Sequence, residues 1–261
     1  MKKILATVLA LCLLCSLAAM ASAAGTFRVG VKDDLAGFSL RDPLTGKFEG
    51  FEVDLANKLA EALGYDDVEL TPVIAATRGQ LLDSGDLDAV IATFTINDTR
   101  KEQWDFSTPY YTDIVTVLVK TESGITTLAD LNGKTIGVSS SSTSALSLCR
   151  EMVAQGLISE FDEATFIPST FNGSVSFAEY GAYPDISDAM DAGVIDAFCV
   201  DKSILSNYKY ADRSYIQDEF APQDYGVATA KGSELSAQID ALIVQWLDDG
   251  TINAMKATWG I

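Results

Sequence analysis

Apolar positions change their spacing several times along this chain, and each change predicts an element. Phe27-Arg-Val-Gly-Val31 alternates and predicts an opening strand. Gly46 and Gly50 mark a turn. Beyond it Phe51, Leu55, Leu59 and Leu63 recur at one-turn spacing with Ala56 and Ala60 beside them, which is one face of an amphipathic helix. Gly64 is placed to stop it, where a positive backbone angle suits glycine. The stretch from Val68 to Val73 reads as a strand, and Gln80 to Asp83 as a short helix ending at Gly85. Ala89-Val-Ile-Ala92 is a continuous apolar run, as expected at the centre of a mostly parallel sheet. Strands alternating with helices predict an α/β lobe.

A second alternation follows. Thr135 to Val138 reads as a strand, and Ser144 to about Gln155 as a helix. Ile186 to Ala192 reads as another helix, and Ile195 to Val200 as another strand. Helical spacing returns over Leu235 to Trp246 and over Ile252 to Trp259. Two segments are expected to cross between lobes: the long apolar run Ile114 to Val119, and the turn near Pro222-Gln-Asp-Tyr-Gly226. Between Ile167 and Tyr183 the chain is rich in Ser, Gly and Phe without a period, which predicts an irregular surface excursion. The expected division is a signal over 1–24, a first lobe over 25–115 and 223–261, and a second lobe over 116–222.

The N-terminus carries the signal pattern: Lys2 and Lys3, an apolar stretch from Ile4 to about Ala19, then Ala21-Ser-Ala23. Leu11 and Leu14 precede Cys12 and Cys15 where a lipoprotein signal needs a small residue, so a cleaved, exported protein is expected, periplasmic or extracellular. Without the two signal lysines, 16 basic residues face 37 acidic ones. That balance argues against nucleic acid and anionic membrane as partners, and it singles out any clustered cations. The chain has no histidine, so Ser-His-Asp and Cys-His catalysis and histidine-based zinc sites are excluded. Cys149 and Cys199 are expected to be two separate thiols.

Ligands of parallel α/β lobes sit beyond the carboxyl ends of the strands. Polar residues stand at four predicted strand ends: Lys32 after Val31, Thr93 and Thr95 after Ala92, the run Ser139 to Ser144 after Val138, and Asp201 after Val200. Together they suit a free amino acid. Arg100 can hold a carboxylate with two parallel hydrogen bonds. Thr95 and backbone N–H groups near Thr143 can add donors, and Asp201 with a carbonyl near Thr93 can accept from an ammonium. Taken singly, each has a plainer role: Arg100 pairing with Asp98 or Glu102, Lys32 with Asp33, Asp201 with Lys202, the threonines capping a helix.

The segments Gly30-Val-Lys-Asp-Asp, Gly50-Phe-Glu-Val-Asp-Leu, Asp88-Ala-Val-Ile-Ala-Thr-Phe-Thr-Ile to Arg100, Asp105-Phe-Ser-Thr-Pro-Tyr-Tyr and Tyr225-Gly together resemble the polar amino-acid-binding proteins of bacterial ABC importers, solute-binding protein family 3. The resemblance implies the type II periplasmic-binding-protein fold: two α/β lobes joined by two crossing strands, with a ligand cleft between them that closes by hinge motion. It implies Arg100 and Thr95 on the ligand's α-carboxylate and Asp201 on its α-amino group. The segments Val29-Gly-Val-Lys32, Thr77-Arg-Gly79, Val200-Asp-Lys-Ser-Ile-Leu205 and Pro222-Gln-Asp-Tyr-Gly226 resemble the aspartate/glutamate-binding branch. There Lys32 and Arg78 would face the ligand side chain, and two cations suit a second carboxylate. Phe38 is a candidate to stack on the ligand or to pack beneath it, and Tyr183 a candidate contact from the second lobe.

The expectation is therefore a monomeric binding protein, not an enzyme, that needs no cofactor and no metal and delivers an acidic amino acid to an ABC permease. Cystine or a neutral polar amino acid is the alternative ligand. A cyclohexadienyl dehydratase-like activity on the same fold, with Glu179 or Asp201 as the acid, ranks below these for want of an acid–base partner at a recognisable spacing.

Overall fold

A computed structural model describes residues 25–171 and 173–261. The expected signal segment, with Cys12 and Cys15, lies outside the described residues.

The chain opens with β1 (Thr26–Val31), whose alternate side chains Phe27, Val29 and Val31 are fully buried. A small antiparallel ribbon of β2 (Asp34–Leu35), β3 (Ser39–Arg41) and β4 (Phe48–Glu49) follows. Gly50 then starts α1 (Phe51–Leu63) at a positive φ of 136°, and a Cβ there would meet the Phe38 carbonyl oxygen at 2.2 Å, so only glycine fits. Helix α1 buries Leu55, Ala56 and Leu59 and ends at left-handed Gly64, whose N–H bonds back to the last turn. Next come β5 (Asp67–Pro72), α2 (Arg78–Asp83), β6 (Ala89–Val90), α3 (Asp98–Gln103) and β7 (Trp104–Phe106).

The chain then leaves the first lobe along β8 (Tyr111–Lys120) and builds a second sheet. Its elements are β9 (Thr135–Ser139), α4 (Ser144–Ala154), β10 (Ser176–Tyr180), α5 (Tyr183–Asp191), β11 (Ala197–Asp201), α6 (Lys202–Ser206) and β12 (Arg213–Tyr215). It returns along β13 (Phe220–Tyr225), adds β14 (Ala228–Ala230) to the first sheet, and closes with α7 (Glu234–Asp248) and α8 (Thr251–Trp259). The first sheet has the order β5-β1-β6-β14-β7, parallel across β5, β1 and β6. The second has the order β10-β9-β11-β8-β12, parallel across β10, β9 and β11. This is the two-lobed α/β architecture expected from the alternation of elements.

The crossing segments form an antiparallel ribbon, with Tyr111 opposite Tyr225 and Asp113 opposite Gln223. A register shift between Phe220 and Pro222 leaves Ala221 at a φ of 50°. One apolar core lies under α1, α7 and α8 and continues through Tyr110 and Tyr225 to Tyr183 and Phe198 of the second lobe. The lobes are in contact: an Arg100 Nη2 donates to the Ser141 carbonyl at 3.3 Å, and Lys32 Nζ stands 4.6 Å from the centre of the Tyr183 ring.

Three expectations need correction. The excursion between Ile167 and Tyr183 is not wholly irregular, because Ser176–Tyr180 is strand β10 at the sheet edge, where only Phe177 is buried and the alternation is too weak to see. The helix expected from Ile186 begins at Tyr183, with Pro184 in its first turn, where the missing N–H costs nothing. The apolar run Ala89–Ala92 is paired only over Ala89–Val90, because the backbone turns into the left-handed region at Thr93. Among the described residues no helix is long and apolar enough to cross a membrane.

Candidate functional site

The first-lobe wall of the cleft is built on the ends of β1 and β6 and the start of α2. Arg78 is the first residue of α2, and Gly79 after it leaves room for the Trp104 ring, which a Cβ would meet at 2.3 Å. That packing turns the Arg78 side chain inward, where it is 4% exposed. Its Nη1 donates to the Ala92 carbonyl at 2.6 Å and to Thr93 at 3.3 Å. Arg100 lies in α3, which Asn97 caps by accepting from the Arg100 N–H at 2.8 Å. Its Nη1 donates to the Thr95 carbonyl at 2.7 Å. Phe94 packs against both guanidinium groups, with its ring centre 3.9 Å from Arg78 Cζ and 4.9 Å from Arg100 Cζ.

Lys32, 3% exposed, pairs with Asp34 at 3.3 Å. Among the described residues no carboxylate lies within ion-pair distance of Arg78 or Arg100. Burial lowers the proton affinity of Lys32, Arg78 and Arg100, bringing Arg100 down to about 9, and Arg78 depresses Lys32 and Arg100 further. Arg78 Nε is buried without a partner. Three cations gathered in one wall, with Arg78 repelling the other two, form a receptor for negative charge.

Behind this wall stands Glu52, buried on the apolar face of α1. Its Oε1 accepts from the Thr93 N–H at 2.7 Å and from the Tyr110 hydroxyl at 2.6 Å. Burial raises its carboxyl to about 7 against both hydrogen bonds. Thr93 has a φ of 45°, a costly conformation for a β-branched residue. Glu52 holds its N–H there and so aims its carbonyl. The other described non-glycine residues at positive φ are Ser141 and Ala221. All three are at the cleft or its hinge, where strain belongs to function rather than to packing.

From the second lobe come Asp201 at the end of β11 and Tyr183 at the start of α5, each 5% exposed. Asp201 Oδ2 lies within hydrogen-bond distance of the Tyr225 hydroxyl, while its Oδ1 is buried without a partner among the described residues. Burial, and then the charge of Asp113, raises its carboxyl to about 7. The electrostatic partners of Asp201 include Arg100 and Arg78, and those of Tyr183 include Asp201 and Arg78, so the two walls face each other.

Lys32, Arg78, Arg100, Tyr183 and Asp201 thus converge. The plainer pairings are not formed: Arg100 does not pair with Asp98 or Glu102, Asp34 takes the place of Asp33, and Lys202 pairs with Glu219. Thr95 is 7% exposed, bridges to Tyr225, and borders a side cavity of about 340 Å³ with Thr143. Thr143 donates to Gln223 Oε1 at 2.8 Å, which ties the start of α4 to the hinge. Phe38 is 1% exposed and packs edge-on against Phe51, Tyr111 and Tyr225. Cys149 and Cys199 are free and buried. Sequence reasoning missed Glu52, Phe94, Asp113 and Tyr225. Glu52 left a signal, since a charge occupies the helix face of Leu55, Ala56 and Leu59.

Against known proteins, the model of the bacterial extracellular solute-binding proteins, family 3, matches residues 27–261. A glutamine-binding protein of Geobacillus stearothermophilus is 34% identical over 79% of this chain and 73% of its own length. An L-cystine-binding protein, TcyJ of Escherichia coli (strain K12), is 33% identical over 90% of this chain and 82% of its own. An ancestral arginine-binding protein, solved bound to arginine, superposes with a TM-score of 0.74 at 30% identity, covering 90% of this chain and 98% of that one.

Proposed function

The chain belongs to the bacterial extracellular solute-binding proteins, family 3, and we propose that it captures an acidic amino acid, aspartate or glutamate. It would work as a monomer outside the cytoplasmic membrane and deliver the ligand to an ABC permease. The observation that carries this reading is the pair of cleft arginines, Arg78 buried and Arg100 half-buried, without a carboxylate partner among the described residues. The α-amino-acid moiety that every such ligand carries would satisfy one of them: its α-carboxylate on Arg100, its ammonium on the free Oδ1 of Asp201. A side-chain carboxylate satisfies the second, Arg78, through the unpartnered Nε, with Lys32 beside it. A cationic side chain would meet like charge, and a neutral one would leave a desolvated guanidinium uncompensated, at a cost of order 3 kcal/mol.

A glutamine-type ligand is the second reading, favoured by the Geobacillus relative named for glutamine. Titration calorimetry of the purified protein against aspartate, glutamate, glutamine, cystine and arginine separates the two. Aspartate or glutamate binding at micromolar Kd or tighter, with glutamine at least tenfold weaker, is the expected result. Preference for glutamine would reject the acidic reading.

A further inference from the structure

Three side chains behind the cleft share fewer hydrogens than their contacts require. Tyr225 Oη lies within hydrogen-bond distance of Asp201 Oδ2 and 3.1 Å from Asp113 Oδ2. A phenol has one hydrogen and can donate to only one of the two carboxylates. Asp113 is well supplied without it: the Ile114 N–H donates at 2.8 Å, and the Ser203 N–H and hydroxyl also donate. Among the described residues Asp201 has no other donor, and its Oδ1 is buried and bare. The arrangement that fills every contact has the Tyr225 hydrogen on Asp113 and a proton on Asp201, donated to Tyr225 Oη. Asp201, Asp113 and Tyr225 are 5%, 8% and 0% exposed, so water does not make up the deficit.

We propose that Asp113 and Tyr225 are positioning residues that keep a proton on Asp201 until a ligand ammonium displaces it, so that amino-acid capture releases that proton to solvent. The ammonium N–H then donates to Oδ1, the carboxylate left behind accepts the Tyr225 hydrogen through Oδ2, and no covalent bond to carbon changes. The proposal rests on the amino-acid reading above, but only on the ammonium end common to all such ligands.

The groups facing Asp201 pull in both directions. Arg100 and Arg78, from the first lobe, favour its carboxylate. Asp113, from the crossing strand, opposes it, and the Tyr183 phenol of α5 and the Cys199 thiol of its own strand lie near it. Asp113 in turn is faced by Tyr111, Lys202 and Tyr215. Burial together with Asp113 outweighs the arginines and leaves the Asp201 carboxyl at about 7.

The strands involved give the proton a structural role. Asp113 and Tyr225 stand on β8 and β13, the two crossing strands, while Asp201 ends β11 of the second lobe. Placing the ammonium therefore rearranges hydrogen bonds at the hinge itself.

The test is calorimetry of the full chain with glutamate at pH 6, 7 and 8, in buffers of differing ionisation enthalpy. Neither ligand carboxylate nor its ammonium titrates across this range, so the buffer dependence counts protein protons. With the Asp201 carboxyl at about 7, the expected release is about 0.9, 0.5 and 0.1 protons, and affinity falls about tenfold from pH 8 to pH 6 through the half-titration. Asp113→Asn, which leaves every proposed ligand contact in place, is expected to reduce the release at pH 7 below the wild-type count. Zero release at all three pH values, or an unchanged count in Asp113→Asn, overturns the proposal. Tyr225→Phe, also expected to change the count, serves if Asp113→Asn does not fold. If glutamine binds and glutamate does not, the acidic reading fails and the proton count is taken with glutamine. If no amino acid binds, both readings fail, and a carboxyl NMR titration of the protein alone still shows whether Asp201 holds a proton near neutrality.

Discussion

Across the cleft, the first lobe presents three cations, Lys32 and Arg78 buried and Arg100 half-buried, whereas the second presents Asp201 and the carbonyl of Ser141. Arg78 and Arg100 are braced by backbone carbonyls and the Phe94 ring, Lys32 by Asp34, and Arg78 repels the other two. The second-lobe carboxylate is braced by a tyrosine of the hinge and repelled by Asp113. Each wall is unfavourable by itself, and each carries the sign the other lacks. On the proposed function, charge segregation of this kind would make closure depend on what lies between the walls, because a zwitterion with an extra carboxylate would relieve the repulsion on both sides.

The sharpest way to break this comparison is Arg100→Ala. It is expected to lower affinity for every amino acid by at least about 100-fold, since two charge-assisted bonds of roughly 1.5–3 kcal/mol each are lost. Calorimetry showing a loss confined to acidic ligands would move the α-carboxylate elsewhere. Arg78→Met separates the ends of the ligand: aspartate or glutamate should weaken about 30-fold and glutamine less than about fivefold. Equal losses would remove Arg78 from side-chain recognition.

Glu52→Gln tests the support behind the cationic wall. The Glu52 carboxyl is raised from 4.5 to about 7 in the folded protein, so the fold holds a proton that the unfolded chain gives up. Its contribution to stability is complete below about 4.5 and is lost as the pH rises through about 7. The glutamine keeps an acceptor for Thr93 and Tyr110 without that proton. Melting temperature from pH 5 to pH 8 should therefore fall less in the variant, and at pH 8 the variant should be the more stable by about 1–3 kcal/mol. A pH profile parallel to wild type would show that Glu52 does not titrate there.

The smallest effect on the site is expected from Phe171→Ala, in the cluster of Phe161, Phe166, Phe171 and Phe177 on the far side of the second lobe. Chemical denaturation should show a loss of about 1–3 kcal/mol, with ligand affinity within twofold of wild type. A larger change in affinity would tie the excursion to closure.

Much of the frame was legible in the sequence. The spacing of Phe51, Leu55, Leu59 and Leu63 located α1, Gly64 located its end, polar residues at strand ends located Lys32 and Asp201 as candidates with Arg100 just beyond Thr95, and Arg78 came forward only through the resemblance. Strand β10 was hidden because an edge strand with one buried side chain imposes no strong alternation. Glu52 was visible as a misplaced charge, but its partners Thr93 and Tyr110 lie 41 and 58 positions away. Asp113 and Tyr225 are 112 positions apart and left no local trace.

Local periodicity, glycine placement and the sign of each charge belonged to the sequence alone, because they act within a few residues or within one side chain. The tertiary structure decided which charges share a dry wall, which carboxyl groups are raised, and how many hydrogens serve two carboxylates at the hinge. Those properties depend on burial and on distances between residues remote in the chain, and neither quantity exists until the lobes have packed.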